Sequence, residues 1–108
     1  MKRVTESSGN VFADLGLPDP DGLAARAELT RRIVAVVRAR ALSQRAAAKL
    51  LGLRQPDVSL LLRGRWTRFS TDRLLRCLRA LGQDVRIVIR PKPRPRAPAR
   101  LIVAGSAG

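Results

Sequence analysis

The sequence predicts a mainly helical domain of four to five helices, followed by one C-terminal β-strand. Apolar residues recur at three- and four-residue spacing between about residues 20 and 81, and capping and turn residues divide that run into segments of helical length. Only 3% of the 108 residues are aromatic, so alanine, leucine and valine must fill the core. Small aliphatic side chains favour closely packed helices over a β-sandwich, and a chain of this length has room for one modest core.

The helix boundaries follow from capping residues. Asp19 and Pro20 predict the start of a first helix that ends near residue 40. Ser43 caps a second helix that Gly52 ends, and Pro56 fixes the start of a third, which Gly64 closes. Ser70 and Gly82 bound a fourth helix in the same way, with Leu74, Leu75, Leu78 and Leu81 on its buried face. The predicted buried stripe of the first helix contains Leu23, Ala27, Thr30, Val34 and Val37, widened by Leu29, Ile33 and Val36.

Three segments follow from these boundaries: an arm (1–18), a domain (19–90) and a basic, proline-rich tail (91–108) predicted to be disordered. Within the domain, "DVRIVIR" (84–90) alternates apolar and basic residues, as a strand does. An isolated strand is unstable in water. It must pair either with "NVFA" of the arm or, as we favour, with the same strand of a second copy, through Val85, Ile87 and Ile89.

The net charge of +14 is unevenly distributed. Residues 1–28 hold five acids and three bases, a net charge of −2, so residues 29–108 carry +16. Part of this excess is expected from a genomic bias toward arginine and alanine. A domain this basic nevertheless attracts polyanions, nucleic acid first, with membrane surfaces and acidic proteins as lesser alternatives.

Several function classes are excluded by composition. One cysteine and no histidine rule out disulfide frameworks, zinc sites and catalytic triads with a histidine base. No carboxylate pair, activated nucleophile or phosphate-binding glycine loop can be assembled, so we expect neither an enzyme nor a cofactor or metal ion. No apolar run of membrane-spanning length and no signal peptide are present, which predicts a soluble, cytoplasmic protein without membrane contact.

Residues 43–65 form a helix, a short turn and a second helix, the pattern of the DNA-binding helix-turn-helix. Ala47 and Ala48 allow close approach of the two helices, and Gly52 makes the turn. Leu51, Leu53, Val58 and Leu61 fall where buried contacts are needed. A helical hairpin without a DNA function is the alternative.

The outward face of the third helix predicts the DNA contacts. Arginine can grip guanine and glutamine can grip adenine in the major groove, which makes Gln55, Ser59 and Arg63 the predicted base readers. Leu60 shares that face and either touches a thymine methyl group or belongs to a packing surface. Trp66 and Phe69 are expected to cap the core. The predicted phosphate contacts are Gln44, Arg45, Lys49, Arg54, Arg65 and Arg68.

The sequence also resembles the small XRE-type helix-turn-helix antitoxins, the HigA-like partners of RelE/HigB-type toxins. The resemblance is strongest in "QPDVS", "LLRGR" and "ALGQDVRIVIRP". The resemblance spans about residues 6–91 and implies a lambda-repressor-like fold in a dimer that represses its own operon and masks a ribonuclease toxin. Two features depart from the family pattern. Arg54 stands where the family often has an acid or another capping residue, and the basic tail is unusually long.

An RNA-binding toxin is expected to be basic and should therefore meet the least basic part of the chain. That part contains Val11, Phe12, Asp14, Leu15 and Leu17, although the arm is as well placed to pack on its own domain. A stand-alone or phage-like repressor and a protein-interaction module are the alternative functions.

Overall fold

Four helices form the framework of the chain in a computed structural model, which describes residues 20–92 and 99–105. They are α1 (Pro20–Ala39), α2 (Gln44–Leu51), α3 (Gln55–Leu62) and α4 (Thr71–Ala80). The mainly helical prediction is confirmed, with four helices in the described residues. The predicted arm and the Asp19 cap lie outside those residues.

The helix ends are formed largely as the capping residues predict. Ser43 Oγ accepts a hydrogen bond from the backbone N–H of Ala46 at 3.0 Å, and Ser70 Oγ accepts one from Arg73 at 3.1 Å. Gly52 ends α2 in the left-handed conformation with φ of 68°. Helix α3 begins one residue before Pro56, because Arg54 takes the N-cap backbone conformation without any side-chain cap.

The core lies between α1 and α4 and is closed by α2 and α3. Its largest fully buried side chains are Phe69, Ile33, Leu61, Leu74, Leu81 and Val58. The predicted stripe of α1 is wrong at Leu23, which is 44% exposed. The stripe is confirmed at Leu29, Thr30, Ile33 and Val37, which are buried. Together with Ala25 and Gly22 they keep one face of α1 toward the other helices.

Two arginines, Arg26 of α1 and Arg40 directly after that helix, reach the two ends of α4. Arg26 Nη1 donates to the carbonyl oxygen of Phe69 at 3.2 Å, just before α4, and Arg40 Nη2 donates to that of Leu81 at 2.7 Å, just after it. The two helices therefore run parallel. Arg26 also stacks on the Trp66 ring at 5.0 Å. Phe69 is fully buried, as expected of a residue that caps the core.

Residues 84–90 form no strand in the described chain. Ile87 is 73% exposed and Ile89 is 91% exposed. The predicted strand with Val85, Ile87 and Ile89 is therefore not formed in the single chain, where no neighbouring backbone is placed to satisfy a strand's hydrogen bonds. Pairing with a second copy stays a prediction.

The end of the tail contacts the domain. The backbone N–H of Leu101 donates to Asp21 Oδ2 at 3.2 Å, and Val103 is partly buried against the core. The basic, proline-rich composition of the tail gave no indication of this contact. Residues 93–98 and 106–108 lie outside the described part of the chain. In that part, no helix is both long and apolar enough to cross a lipid bilayer.

Candidate nucleic-acid interface

The geometry of the candidate interface depends on the crossing of α2 and α3. Ala47 is 0% exposed, and Ala48 is also buried, so these two small side chains lie directly against the core. The backbone N–H groups of Gly52 and Leu53 both donate to the carbonyl oxygen of Ala48, which ties the turn to the end of α2. Because Val58 and Leu61 are each 1% exposed, the inward face of α3 is fixed and its opposite face points to solvent.

All three predicted base readers are solvent-accessible on or next to α3. Gln55 and Arg63 are exposed and Ser59 is partly exposed. Their four-residue spacing places them on one face, over a length of about 12 Å at 1.5 Å per residue. Arg63 is the C-cap, and its Nε donates to the carbonyl oxygen of Ser59 at 3.3 Å. Their contact with bases stays a prediction.

Leu60 shares the sequence-predicted face but packs partly against the core. Of the two roles open to it, the packing surface therefore has support from the structure.

The predicted phosphate contacts lie on the elements that border α3. Gln44 is the first residue of α2, and Arg54 is the N-cap of α3. Arg65 and Arg68 lie in the loop between α3 and α4. All six are exposed in the structure: Gln44, Arg45, Lys49, Arg54, Arg65 and Arg68.

Asp57 has a role that sequence analysis did not find. From the sequence alone, its place near the start of the third helix indicates only a charge favourable to the helix dipole. In the structure its Oδ2 lies 3.5 Å from Arg73 Nη2 on α4 and 3.8 Å from Arg54 Nε. Arg73 in turn stacks on the Phe69 ring at 4.8 Å. The carboxylate thus links α3 to α4, and a separation of 16 residues gives no local pattern that would reveal the pair.

Other reactive groups in the described chain are few. Burial raises the pKa of the Cys77 thiol, against the opposing effect of Arg73 and Arg76, so this thiol stays protonated near neutral pH. In residues 20–92 and 99–105, no group of three or more histidine, cysteine, aspartate or glutamate side chains could hold a metal ion. The absence of enzymatic activity stays a prediction.

Comparison with known proteins places this geometry in a family. A family model described as a helix-turn-helix domain matches residues 11–90. A solved structure of a protein assigned to the XRE family of transcriptional regulators superposes with a TM-score of 0.77 at 45% sequence identity. That match covers 82% of this chain and 100% of the other. No match was found among curated proteins.

Proposed function

Because the chain belongs to the XRE family of helix-turn-helix transcriptional regulators, we propose that it is a repressor that reads one operator sequence through α3. The family and the helix-turn-helix domain make it a DNA-binding regulator. The observation that carries the finer proposal is the solvent-facing row of Gln55, Ser59 and Arg63, bordered by exposed cations on α2 and in the loop before α4.

The two kinds of contact have different expected energetics. Arg63 is the strongest candidate base reader, since a bidentate arginine–guanine pair is worth about 1–3 kcal/mol of discrimination. Each phosphate that a cation such as Lys49 neutralises releases counterions. A plot of the logarithm of the binding constant against the logarithm of the salt concentration should therefore fall with a slope of about −0.9 per phosphate contact. Mutations can thus separate the contacts that position the protein on DNA from the contacts that select a sequence.

The test compares an operator with random DNA at several salt concentrations. Arg63→Ala should weaken operator binding by roughly 1–3 kcal/mol and relax specificity, whereas Lys49→Ala should weaken both DNAs alike and reduce the salt slope by about one unit. Arg79→Ala removes the same charge from an exposed position on α4 and serves as the control. Equal losses on operator and random DNA for Arg63→Ala would contradict its role as a base reader.

The proposal includes a two-fold dimer through residues 84–90. Val85, Ile87 and Ile89 lie exposed in the single chain, and paired strands would shield them while satisfying their backbone groups. A two-fold axis would also set two α3 helices in successive major grooves about 34 Å apart. Ile87→Pro removes a ladder donor and should yield a monomer with greatly weakened operator binding. A variant that sediments as a dimer and binds normally would place the interface elsewhere.

The biological role we propose is that of the antitoxin of a type II pair, acting in the cytoplasm at the nucleoid. Its support is the resemblance to HigA-like proteins and the acidic, apolar arm. Val11, Phe12 and Leu15 would contact a RelE/HigB-like toxin, with Leu17 beside them and Asp14 complementing its charge.

Co-purification with the product of an adjacent gene for a basic protein of about 100 residues is the expected result, and removal of residues 1–17 should abolish it. An unchanged complex would show that the arm does not bind the toxin. DNA binding without any such neighbour would favour the stand-alone or phage-like repressor, and failure to bind DNA would favour the protein-interaction module.

A further inference from the structure

A groove runs along the outer face of α1 toward the end of α3. It encloses about 430 Å³ and includes Arg31 and Arg38 of α1, together with residues around the C-terminal end of α3. Small side chains leave its middle open, and the chain's one tryptophan forms part of its wall. The remaining lining residues are Ala27, Thr30, Val34, Ala35, Leu62, Gly64 and Trp66.

The groove is apolar along its floor and basic at its rim. Val34, Leu62 and Trp66 are partly exposed in it. Arg31 shares Glu28 with Arg32, so this cluster keeps one net positive charge. Arg38 Nη2 donates to the carbonyl oxygen of Leu62 at 3.4 Å and has no carboxylate partner among the described residues. An occupant with apolar side chains and acidic groups would fit this surface.

We propose that residues 11–17 of the same chain occupy this groove in the free protein. The stretch "VFADLGL" supplies Val11, Phe12, Leu15 and Leu17 for the floor and Asp14 for the basic rim. Residues 4–19 contain three acids and no bases, which gives the whole segment the charge opposite to that of the groove.

The length of the chain before α1 fits the groove. The helix rises about 1.5 Å per residue, so Ala27 lies about 10 Å from Pro20 and Arg38 about 27 Å from it. An extended chain covers about 3.3 Å per residue, so the three steps from Pro20 back to Leu17 suffice to return to Ala27. The six steps from residue 17 back to residue 11 then span about 20 Å and reach the far end of the groove.

The family match gives independent support. It begins at residue 11, where the apolar stretch begins, and not at the start of α1. Residues 11–19 are thus part of the shared domain, as expected of a segment that packs on it.

Packing of the arm in the groove does not depend on whether a toxin exists, because it concerns the free protein. A toxin that binds the arm would have to displace it from the groove.

Occupancy of the groove would act on the recognition helix. Leu62 is the last residue of α3, and Gly64 follows the C-cap Arg63 with φ of 75°. A segment packed against Leu62 and Trp66 would hold the end of α3 in place. It would thereby fix the backbone that positions Arg63.

The first test uses Trp66 as a reporter. Acrylamide quenching of its fluorescence is compared between the full chain and the full-length variant Phe12→Ser/Leu15→Ser, with Val4→Ser as the control outside the proposed segment. The proposal expects a red-shifted emission and a quenching constant at least about twofold larger in the double variant, with the control unchanged. Identical quenching in all three chains, with unchanged circular dichroism, would overturn it.

The second test identifies which segment occupies the groove. In a Cys77→Ala background, Ala13→Cys combined with Ala35→Cys should form a disulfide within one chain under mild oxidation. Ala80→Cys on α4 replaces Ala35→Cys in the control pair, because Ala80 is exposed and outside the groove. A disulfide between two chains would assign the groove to the arm of a second copy and overturn the proposal. Equal yields from both pairs would overturn it too.

Discussion

Ile33 of α1 is 1% exposed and Ile89 near the C-terminus is 91% exposed, although both lie in segments rich in branched aliphatic residues. The difference lies in what each backbone needs. A helix satisfies its own hydrogen bonds and then buries one face against any apolar neighbour, whereas a strand needs a second strand before its side chains can be covered. Apolar residues at helical spacing therefore predict burial within one chain. Alternating apolar residues predict burial only once a partner strand is present.

The largest expected effect comes from removing a buried side chain of the core. Phe69→Ala removes a fully buried ring of the core and should lower the free energy of unfolding by about 3–5 kcal/mol, measured by denaturant titration. Ile89→Ala should change it by less than about 0.5 kcal/mol at low protein concentration.

A loss for Ile89→Ala that grows with protein concentration would show that residues 84–90 are covered in a dimer. A concentration-independent loss as large as that of Phe69→Ala would mean that Ile89 is buried within one chain, against the structure.

The next effect concerns the close approach of α2 to the core. Ala47→Leu inserts a larger side chain where none fits and should cost about 1–3 kcal/mol. Ala46→Leu adds the same atoms one residue earlier at an exposed position and should be nearly neutral. Thermal unfolding of the two variants measures the difference. Equal midpoints would mean that the α2–α3 crossing is looser than its geometry indicates.

A smaller effect separates the two N-caps of the helix-turn-helix. Ser43→Ala removes a side-chain cap and should lower the free energy of unfolding by about 1 kcal/mol. Arg54→Ser should raise it by several tenths of a kcal/mol, because α3 gains a cap and loses only a 3.8 Å ion pair between the exposed Arg54 and Asp57, which keeps Arg73 as a partner. The same variant should bind DNA more weakly if Arg54 contacts a phosphate. A fall in stability for Arg54→Ser would contradict this interpretation.

The smallest effect depends on pH. Hydrogen bonds from Arg31 and Arg32 lower the pKa of Glu28 below its ordinary value of 4.5. The ionised form is thus favoured in the folded state, so its contribution to stability is present above the ordinary pKa and is lost as pH falls through the folded one. Glu28→Gln should therefore lower the free energy of unfolding slightly at pH 7 and leave it nearly unchanged at pH 3, where Glu28 is protonated in the folded chain too. Unfolding titrations between pH 3 and 7 measure it.

The sequence predicted most of the local structure because its cues are local. Ser43, Gly52 and Ser70 bound helices as predicted, and the exposed face of α3 carries the predicted base readers. The missed features join residues distant in the chain: Asp57 with Arg73, Arg40 with the end of α4, and Leu101 with Asp21 at a separation of 80 residues. Such contacts depend on how helices are placed against one another, which periodicity does not encode.

The two arginines that join α1 to the ends of α4 have a consequence for hydrogen exchange. Because Arg26 and Arg40 each occupy a carbonyl oxygen at one end of α4, neither end can fray without also breaking a bond to α1. The amide protons of α4 should therefore exchange with solvent deuterium chiefly through global unfolding, with one common opening free energy along the helix. Helix α3 has no such attachment at its N-cap, so its first amides should exchange earlier and reveal the part of the domain that is free to adjust to a DNA surface.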